Sequence, residues 1–180
     1  GNEAIALGGY VAGISVATGY PGTPSTEILE QYARYPGVYA EWSPNEKVAM
    51  EVAIDAATGG ARTMVTMKHV GLNVAADHFM NAAVTGLNGG MVITVADDPS
   101  MHSSQNEQDS RFYAKFAMLP VLEASNQQEA YEMAFHAFEV SEKHNVPVMV
   151  RLTTRLAHSR AGVIRRKVKT ENTMRLPEDP

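Results

Sequence analysis

Residues 38–57 read Val38-Tyr39-Ala40-Glu41-Trp42-Ser43-Pro44-Asn45-Glu46-Lys47-Val48-Ala49-Met50-Glu51-Val52-Ala53-Ile54-Asp55-Ala56-Ala57. The first five, rich in β-branched and aromatic side chains, suit a short strand. A helix starts abruptly after them. Ser43 suits its N-cap and Pro44 its first position, and Glu46 stands three residues after Ser43, the spacing of a capping box. Val48, Ala49, Val52, Ala53, Ala56 and Ala57 then recur at helical spacing and give a face of small side chains that can lie close against a sheet. Glu46 falls at a strand-to-helix turn, where α/β folds bind their ligands. Two roles are open to it. As part of a capping box it satisfies the helix end and favours the positive pole of the dipole, and on this segment alone that is the stronger reading. The other turns of the chain change the balance.

The chain has 180 residues, about one domain's worth and enough for a sizeable core. Apolar residues make up 44% and charged residues 19%, an ordinary balance for a soluble domain. A formal net charge of -5 without clustered Lys and Arg argues against a nucleic-acid surface. The one basic run, Arg165-Arg166-Lys167-Val168-Lys169, reads as solvated linker. With no cysteine, this stretch supplies no disulfide, thiolate nucleophile or iron–sulfur ligand, and a reducing, cytoplasmic setting is expected. No signal peptide is visible, and no apolar run approaches the ~20 residues of a membrane span, so no membrane partner is expected. The chain opens inside what reads as a helix and lacks an initiator Met, as a trimmed piece would.

Working outward from the central unit, a first helix is predicted over 3–11, capped by Asn2 and stopped by Gly13, followed by a strand over 14–18. Gly19-Tyr20-Pro21-Gly22-Thr23-Pro24 is a rigid turn, with Thr23 and Pro24 as N-cap and first position of a helix reaching about residue 34. Beyond the central unit come a strand over 62–67, a turn at Lys68-His69-Val70-Gly71, a helix over 72–87, and an unbroken apolar strand over 91–96 of the kind buried on both faces. A polar stretch over 97–108 precedes a helix over 111–117 and a strand over 119–122. Ser125 and Gln128 form a second capping box that opens a long helix, and a strand over 146–152 follows. This alternation predicts a three-layer α/β/α fold with a mainly parallel six-stranded sheet. Residues 1–160 form the domain, and 161–180 read as a linker toward an absent following domain.

Ligands of such sheets bind outside the carboxyl ends of the strands. There the chain offers Thr23, then Glu46, then Lys68 and His69, and then Asp97, Asp98, His102, Ser103, Ser104, Gln105 and Asn106. Each has a plainer reading: Thr23 as a cap, Lys68 as a solvated charge, His69 as a satisfied turn residue, the 97–108 run as a hydrogen-bonded surface loop. Asp97, His102 and Asp109 lack a metal-specific spacing, and no residue here is assigned as a metal ligand. There is no Gly-x-Gly-x-x-Gly turn, no Gly-Lys-Ser/Thr phosphate loop and no Gly-x-Ser-x-Gly nucleophile turn. A carboxylate at one strand end with no phosphate cradle beside it suggests a half-site, facing one end of a cofactor whose phosphates another domain holds.

Four motifs carry a resemblance: Gly19-Tyr20-Pro21-Gly22-Thr23-Pro24-Ser25, Glu41-Trp42-Ser43-Pro44-Asn45-Glu46-Lys47-Val48-Ala49, Met67-Lys68-His69-Val70-Gly71-Leu72-Asn73-Val74-Ala75-Ala76-Asp77, and Val95-Ala96-Asp97-Asp98-Pro99-Ser100-Met101-His102 continuing through Gln105-Asn106 to Asp109. In this order they resemble the N-terminal, pyrimidine-binding domain of the large subunit of indolepyruvate ferredoxin oxidoreductases, which belong with the thiamine-diphosphate-dependent 2-oxoacid:ferredoxin oxidoreductases. The resemblance implies that Glu46 is catalytic, hydrogen-bonding a pyrimidine ring nitrogen of thiamine diphosphate and driving its amino–imino exchange. It implies cofactor contacts at Gly71 and Leu72, and substrate contacts among Thr23, Lys68, His69, Asp97, Asp98, His102, Gln105 and Asn106. It implies oxidative decarboxylation of an arylpyruvate, with electrons passed to iron–sulfur clusters and ferredoxin and the acyl group to coenzyme A. The Gly-Asp-Gly…Asn motif for magnesium and diphosphate and the cysteine clusters are absent here, so those parts are expected in other domains of the large subunit and in a small partner subunit. A homo-oligomeric contact is also expected. A related domain for another 2-oxoacid, or a non-catalytic assembly domain of the same fold, are the alternatives.

Overall fold

A computed structural model describes residues 1–166. Six strands, β1 (Val16–Gly19), β2 (Tyr39–Trp42), β3 (Thr63–Lys68), β4 (Met91–Asp97), β5 (Val121–Glu123) and β6 (Val148–Thr153), form one sheet in the order β2-β1-β3-β4-β6-β5. Every pairing is parallel. Helices α1 (Asn2–Val11), α2 (Thr26–Tyr32) and α7 (Gln127–His144) cover one face; α3 (Glu46–Thr58), α4 (His69–Val74), α5 (Ala76–Thr85) and α6 (Arg111–Ala117) cover the other, and a short α8 (Thr154–His158) follows β6. Alternate strand residues feed the two layers. Met64, Val92 and Val150 meet Ile5, Leu29 and Phe138, whereas Val65, Ile93 and Met149 meet Met50, Phe79 and Leu119. The sheet, which the sequence suggests is mainly parallel, is parallel throughout.

The strand order places the site. From β1 the chain steps outward to β2, then returns past β1 to β3. With right-handed crossovers, the helix after β1 must lie on one face and those after β2 and β3 on the other. That is the arrangement of α2 against α3 and α4, so the direction of winding switches between β1 and β3 and leaves a crevice at their carboxyl ends.

Several predicted boundaries move, each for a local reason. Asn2 lies inside α1 rather than capping it, because its amide group donates to Pro24 O at 2.7 Å and Glu27 Oε2 at 2.8 Å. Helix α2 starts at Thr26, not Thr23, since the turn is closed by Ser25 Oγ on Gly22 O and Gly22 N on Thr26 Oγ1. Ser43 is not the cap of α3. Its N–H extends the β1–β2 ladder to Gly19 O at 2.9 Å, and Asn45, in extended backbone, accepts from Val48 N at 3.0 Å. The second capping box also shifts by one residue: Asn126 accepts from Glu129 N, and Glu129 accepts from Ser125 N. The predicted turn at 68–71 is the end of β3 running directly into α4, and the single helix over 72–87 is two helices meeting at Ala75. The segment 161–166 lies along α7, with Arg166 over the Phe135 ring and bonded to Glu132. The rest of the basic run, and residues 167–180 of the expected linker, lie outside the described residues.

Candidate active site at the carboxyl ends of β1 and β3

The cap at Asn45 changes what Glu46 is. It is the first residue of α3 rather than the third, so the capping box that offered it a structural role does not form. Among the described residues its half-buried carboxylate makes no hydrogen bond or ion pair. It faces Gly71 in the middle of α4. A Cβ built on Gly71 would lie 2.5 Å from Glu46 Oε1 and 2.6 Å from its Cγ. Glycine costs a helix about 1 kcal/mol relative to alanine. Its place here follows from the approach of Glu46, not from a turn. Leu72, the next residue, has a fully buried side chain in the core beneath α3.

Lys68 ends β3 at the crevice. Its stem runs past Gly22 of the β1 turn, where a Cβ would come within 3.1 Å of Lys68 Cδ. Its Nζ donates to Ser103 O at 2.9 Å, and among the described residues no carboxylate pairs with it. Thr23, exposed on the same turn, presents its carbonyl to Ser103 Oγ at 3.4 Å.

The acidic pair after β4 is otherwise engaged. Asp97 is fully buried, and its Oδ2 accepts from Arg151 Nε at 2.6 Å and from Ser110 N at 3.1 Å. Arg151 also pairs with Glu123 of β5. Asp98 is fully buried and accepts from Thr154 Oγ1 at 2.6 Å, Ser103 N at 2.7 Å and Ser104 Oγ at 2.8 Å. Burial alone would push the Asp98 carboxyl up; the donors from Thr154, Ser103, Ser104 and His102 outweigh it and hold it well below the usual carboxylate range. Arg111 hydrogen bonds likewise lower Asp109, to about 2. These acids anchor the two ends of the 98–110 loop.

His69 is buried, with Nε2 3.1 Å from both the backbone and the side-chain oxygen of Asn106. Two acceptors make Nε2 the protonated nitrogen and leave a buried Nδ1 without a partner among the described residues. His69 and Asn106 thus tie the loop to α4. His102 and Gln105 are exposed on the loop, with their side chains free of the other candidates. Among the described residues no three His, Asp or Glu side chains group as a metal site, and no helix is long and apolar enough to cross a membrane.

A family described as pyruvate flavodoxin/ferredoxin oxidoreductase, thiamine diphosphate-binding, has a model that matches residues 8–180. The chain belongs to this family. It is 55% identical over 167 residues to the indolepyruvate oxidoreductase subunit IorA of Methanothermobacter marburgensis, covering 91% of the present chain and 27% of that subunit. It is 30% identical over 177 residues to the 2-oxoglutarate synthase subunit KorA of Methanothermobacter thermautotrophicus, covering 46% of it. The chain therefore spans about a quarter to a half of the length of these relatives. Its fold is that of a solved 2-oxoglutarate:ferredoxin oxidoreductase from Magnetococcus marinus, with a TM-score of 0.78 at 20% identity over 87% of the present chain and 29% of that one.

The residues present suit one end of the cofactor that the family's description names. A carboxylate without a partner among the described residues, at a helix start over a glycine whose missing side chain keeps the approach open, suits a heterocyclic nitrogen with which it can share a proton. Two residues of the site went unpredicted. Arg151 stands in the apolar run Val148-Met149-Val150-Arg151-Leu152, where a lone charge has to find a counter-ion. Thr154 opens a helix too short to show a period.

Proposed function

We propose that this domain forms the pyrimidine half of the thiamine diphosphate site in an arylpyruvate:ferredoxin oxidoreductase, which decarboxylates 2-oxoacids oxidatively to acyl-coenzyme A. The observation that carries the proposal is the Glu46 carboxylate, freed from capping by Asn45 and set against Gly71. Glu46 holds a pyrimidine ring nitrogen through a shared proton. The half-buried position leaves the carboxylate within reach of the ring while limiting its contact with water. When bound, thiamine diphosphate supplies the electron sink for loss of carbon dioxide. Lys68, with no carboxylate partner among the described residues, takes the carboxylate of the 2-oxoacid at the crevice, and Thr23 stands at its rim.

The 55% identity to a subunit named for indolepyruvate, against 30% to one named for 2-oxoglutarate, favours an aryl side chain on the substrate. The rest of a longer subunit holds the diphosphate and its magnesium. Iron–sulfur clusters, a small partner subunit, ferredoxin, coenzyme A and a contact between copies complete a cytoplasmic enzyme.

The test is ferredoxin reduction by the complete enzyme, with and without thiamine diphosphate, offered indolepyruvate, phenylpyruvate and 2-oxoglutarate. Thiamine-dependent reduction with the aryl substrates preferred is expected; cofactor-independent turnover would sink the proposal, and preference for 2-oxoglutarate would move the substrate class. The domain alone should show no tight thiamine diphosphate binding in calorimetry, and low-micromolar affinity would contradict the half-site.

A further inference from the structure

The ammonium of Lys68 is held by a backbone carbonyl, that of Ser103 at 2.9 Å, on the loop that follows β4. Between Asp98 and Ser103 the chain reverses through Ser100 and Met101, at φ 69 and 53, two consecutive non-glycine residues in the left-handed region. Such backbone is unfavourable for residues with a side chain and persists only where its surroundings impose it. Two carboxylates impose it here. Glu107 Oε2 accepts from Ser100 N at 2.9 Å. Asp98, fully buried at the end of β4, takes Ser103 N and Ser104 Oγ on one oxygen and Thr154 Oγ1 of α8 on the other. The carbonyl that holds Lys68 lies between two groups that Asp98 captures, the Ser103 N–H before it and the Ser104 hydroxyl after it, so the carboxylate restrains its direction from both sides.

We propose that Asp98 is a positioning residue for Lys68: its carboxylate locks the backbone of Ser103, whose carbonyl aims the Lys68 ammonium at the β1/β3 crevice and thereby sets the affinity for the carboxylate of the 2-oxoacid. The kinetic half of this rests on the reading of Lys68 as the carboxylate-binding group; the mechanical half does not. Asp98 thus acts on the substrate without touching it.

In the complete enzyme, Asp98→Asn keeps the volume but turns one acceptor into a donor, set against either Thr154 or Ser103 and Ser104. The KM for indolepyruvate should rise roughly tenfold, a loss of about 1.4 kcal/mol, while kcat stays within about twofold. In a Lys68→Met background the same substitution should change KM by less than about twofold, because its effect runs through Lys68. An equal rise in both backgrounds would overturn the proposal. Ser104→Ala removes a single donor and should shift KM the same way by less, which guards against a failure of Asp98→Asn to fold. The mechanical half is read separately by competitive labelling of lysine amines with mass spectrometry. Lys68 should label several-fold faster in Asp98→Asn and in Ser104→Ala than in the wild type, and unchanged labelling in both overturns it whatever the kinetics. Should Lys68→Met leave KM unaltered, the carboxylate reading falls together with the kinetic half, and labelling alone then scores whether Asp98 holds Lys68.

Discussion

At the carboxyl ends of β4 and β6, Asp97 is sealed from solvent against Arg151, and Asp98 against Thr154, Ser103 and Ser104. At the carboxyl ends of β1 and β3, two charged side chains are only half-buried. Glu46 has no polar partner among the described residues, and Lys68 has a single neutral one. Both regions put acids and bases at strand ends of one parallel sheet, and from the sequence both are equal candidates for chemistry. Partnering separates them. Burying a charge is tolerable only when counter-ions and hydrogen bonds replace its water, so a buried charge gripped by a counter-ion and a donor, as Asp97 is through Oδ2 although its Oδ1 has no partner among the described residues, has been spent on structure. A charge left short of partners at a winding switch, with glycines at its sides, is available to a ligand.

If this division is right, substitutions in the two regions should fail in different ways. The largest effect is expected from Glu46→Gln in the complete enzyme. The amide keeps the shape, and the helix start is already served by Asn45, so the melting temperature should hold. The amide cannot exchange the proton, and the catalytic rate should fall roughly 10²–10⁴-fold. Near-normal turnover would erase the contrast between the regions.

Arg151→Met tests the opposite corner. It strands the Asp97 carboxylate in a site with no exposure, and removing one partner of a buried pair costs about 3–5 kcal/mol. Denaturant titration should show that loss, and adding Asp97→Asn should recover part of it. If stability barely changes while kcat collapses, Asp97 belongs to the chemistry after all. Gly71→Ala sharpens the boundary between stability and catalysis. Alanine favours the helix, but its methyl would stand 2.5 Å from Glu46 Oε1, so the carboxylate must move. Misplacement on this scale should lower kcat about 10–10²-fold, with the fold stable or slightly more so. Unaltered turnover in this variant would show that Glu46 needs no such clearance.

The kinds of element, their order and the parallel sheet were legible because apolar runs of strand length alternate with helical periods and are punctuated by Gly, Pro and Asn. Helix starts were not, and two of the four cap errors share a cause. Ser43-Pro44-Asn45 and Ser125-Asn126 each offer two capping side chains in a row, and only three-dimensional pairing decides between them. In the first case the decision falls to the Ser43 N–H, which the β1 ladder claims for Gly19 O. Gly71 was legible as a special position and misread as a turn, because what requires it is a side chain 25 residues earlier in the chain. The site residues were visible as a list of uncommon side chains at strand ends. Which of them are anchors depends on Arg151 and Thr154, whose partners lie 54 and 56 residues away.

Lys68→Met is the finest test of the comparison, since it asks whether one charge short of partners is there for a ligand. Methionine keeps the apolar stem that runs past Gly22 and removes only the ammonium. No carboxylate among the described residues loses a counter-ion, so the stability cost that marks the β4–β6 region should be missing here. What is lost is the Ser103 carbonyl's donor at the loop, and Ser103 remains anchored through its N–H to Asp98. If Lys68 grips the carboxylate alike in ground and transition states, KM for the 2-oxoacid rises and kcat holds. The size should sit near the low end for a charge-assisted hydrogen bond, about 1.5 kcal/mol or roughly tenfold, because the group is only half-buried. The rise should be the same for indolepyruvate and phenylpyruvate, which share the carboxylate and differ in the ring. A rise confined to one of them would place Lys68 against the aryl group. No rise for either, with the melting temperature intact, would make Lys68 a loop tether and leave Glu46, among the described residues, as the one charged group in this crevice held ready for a ligand.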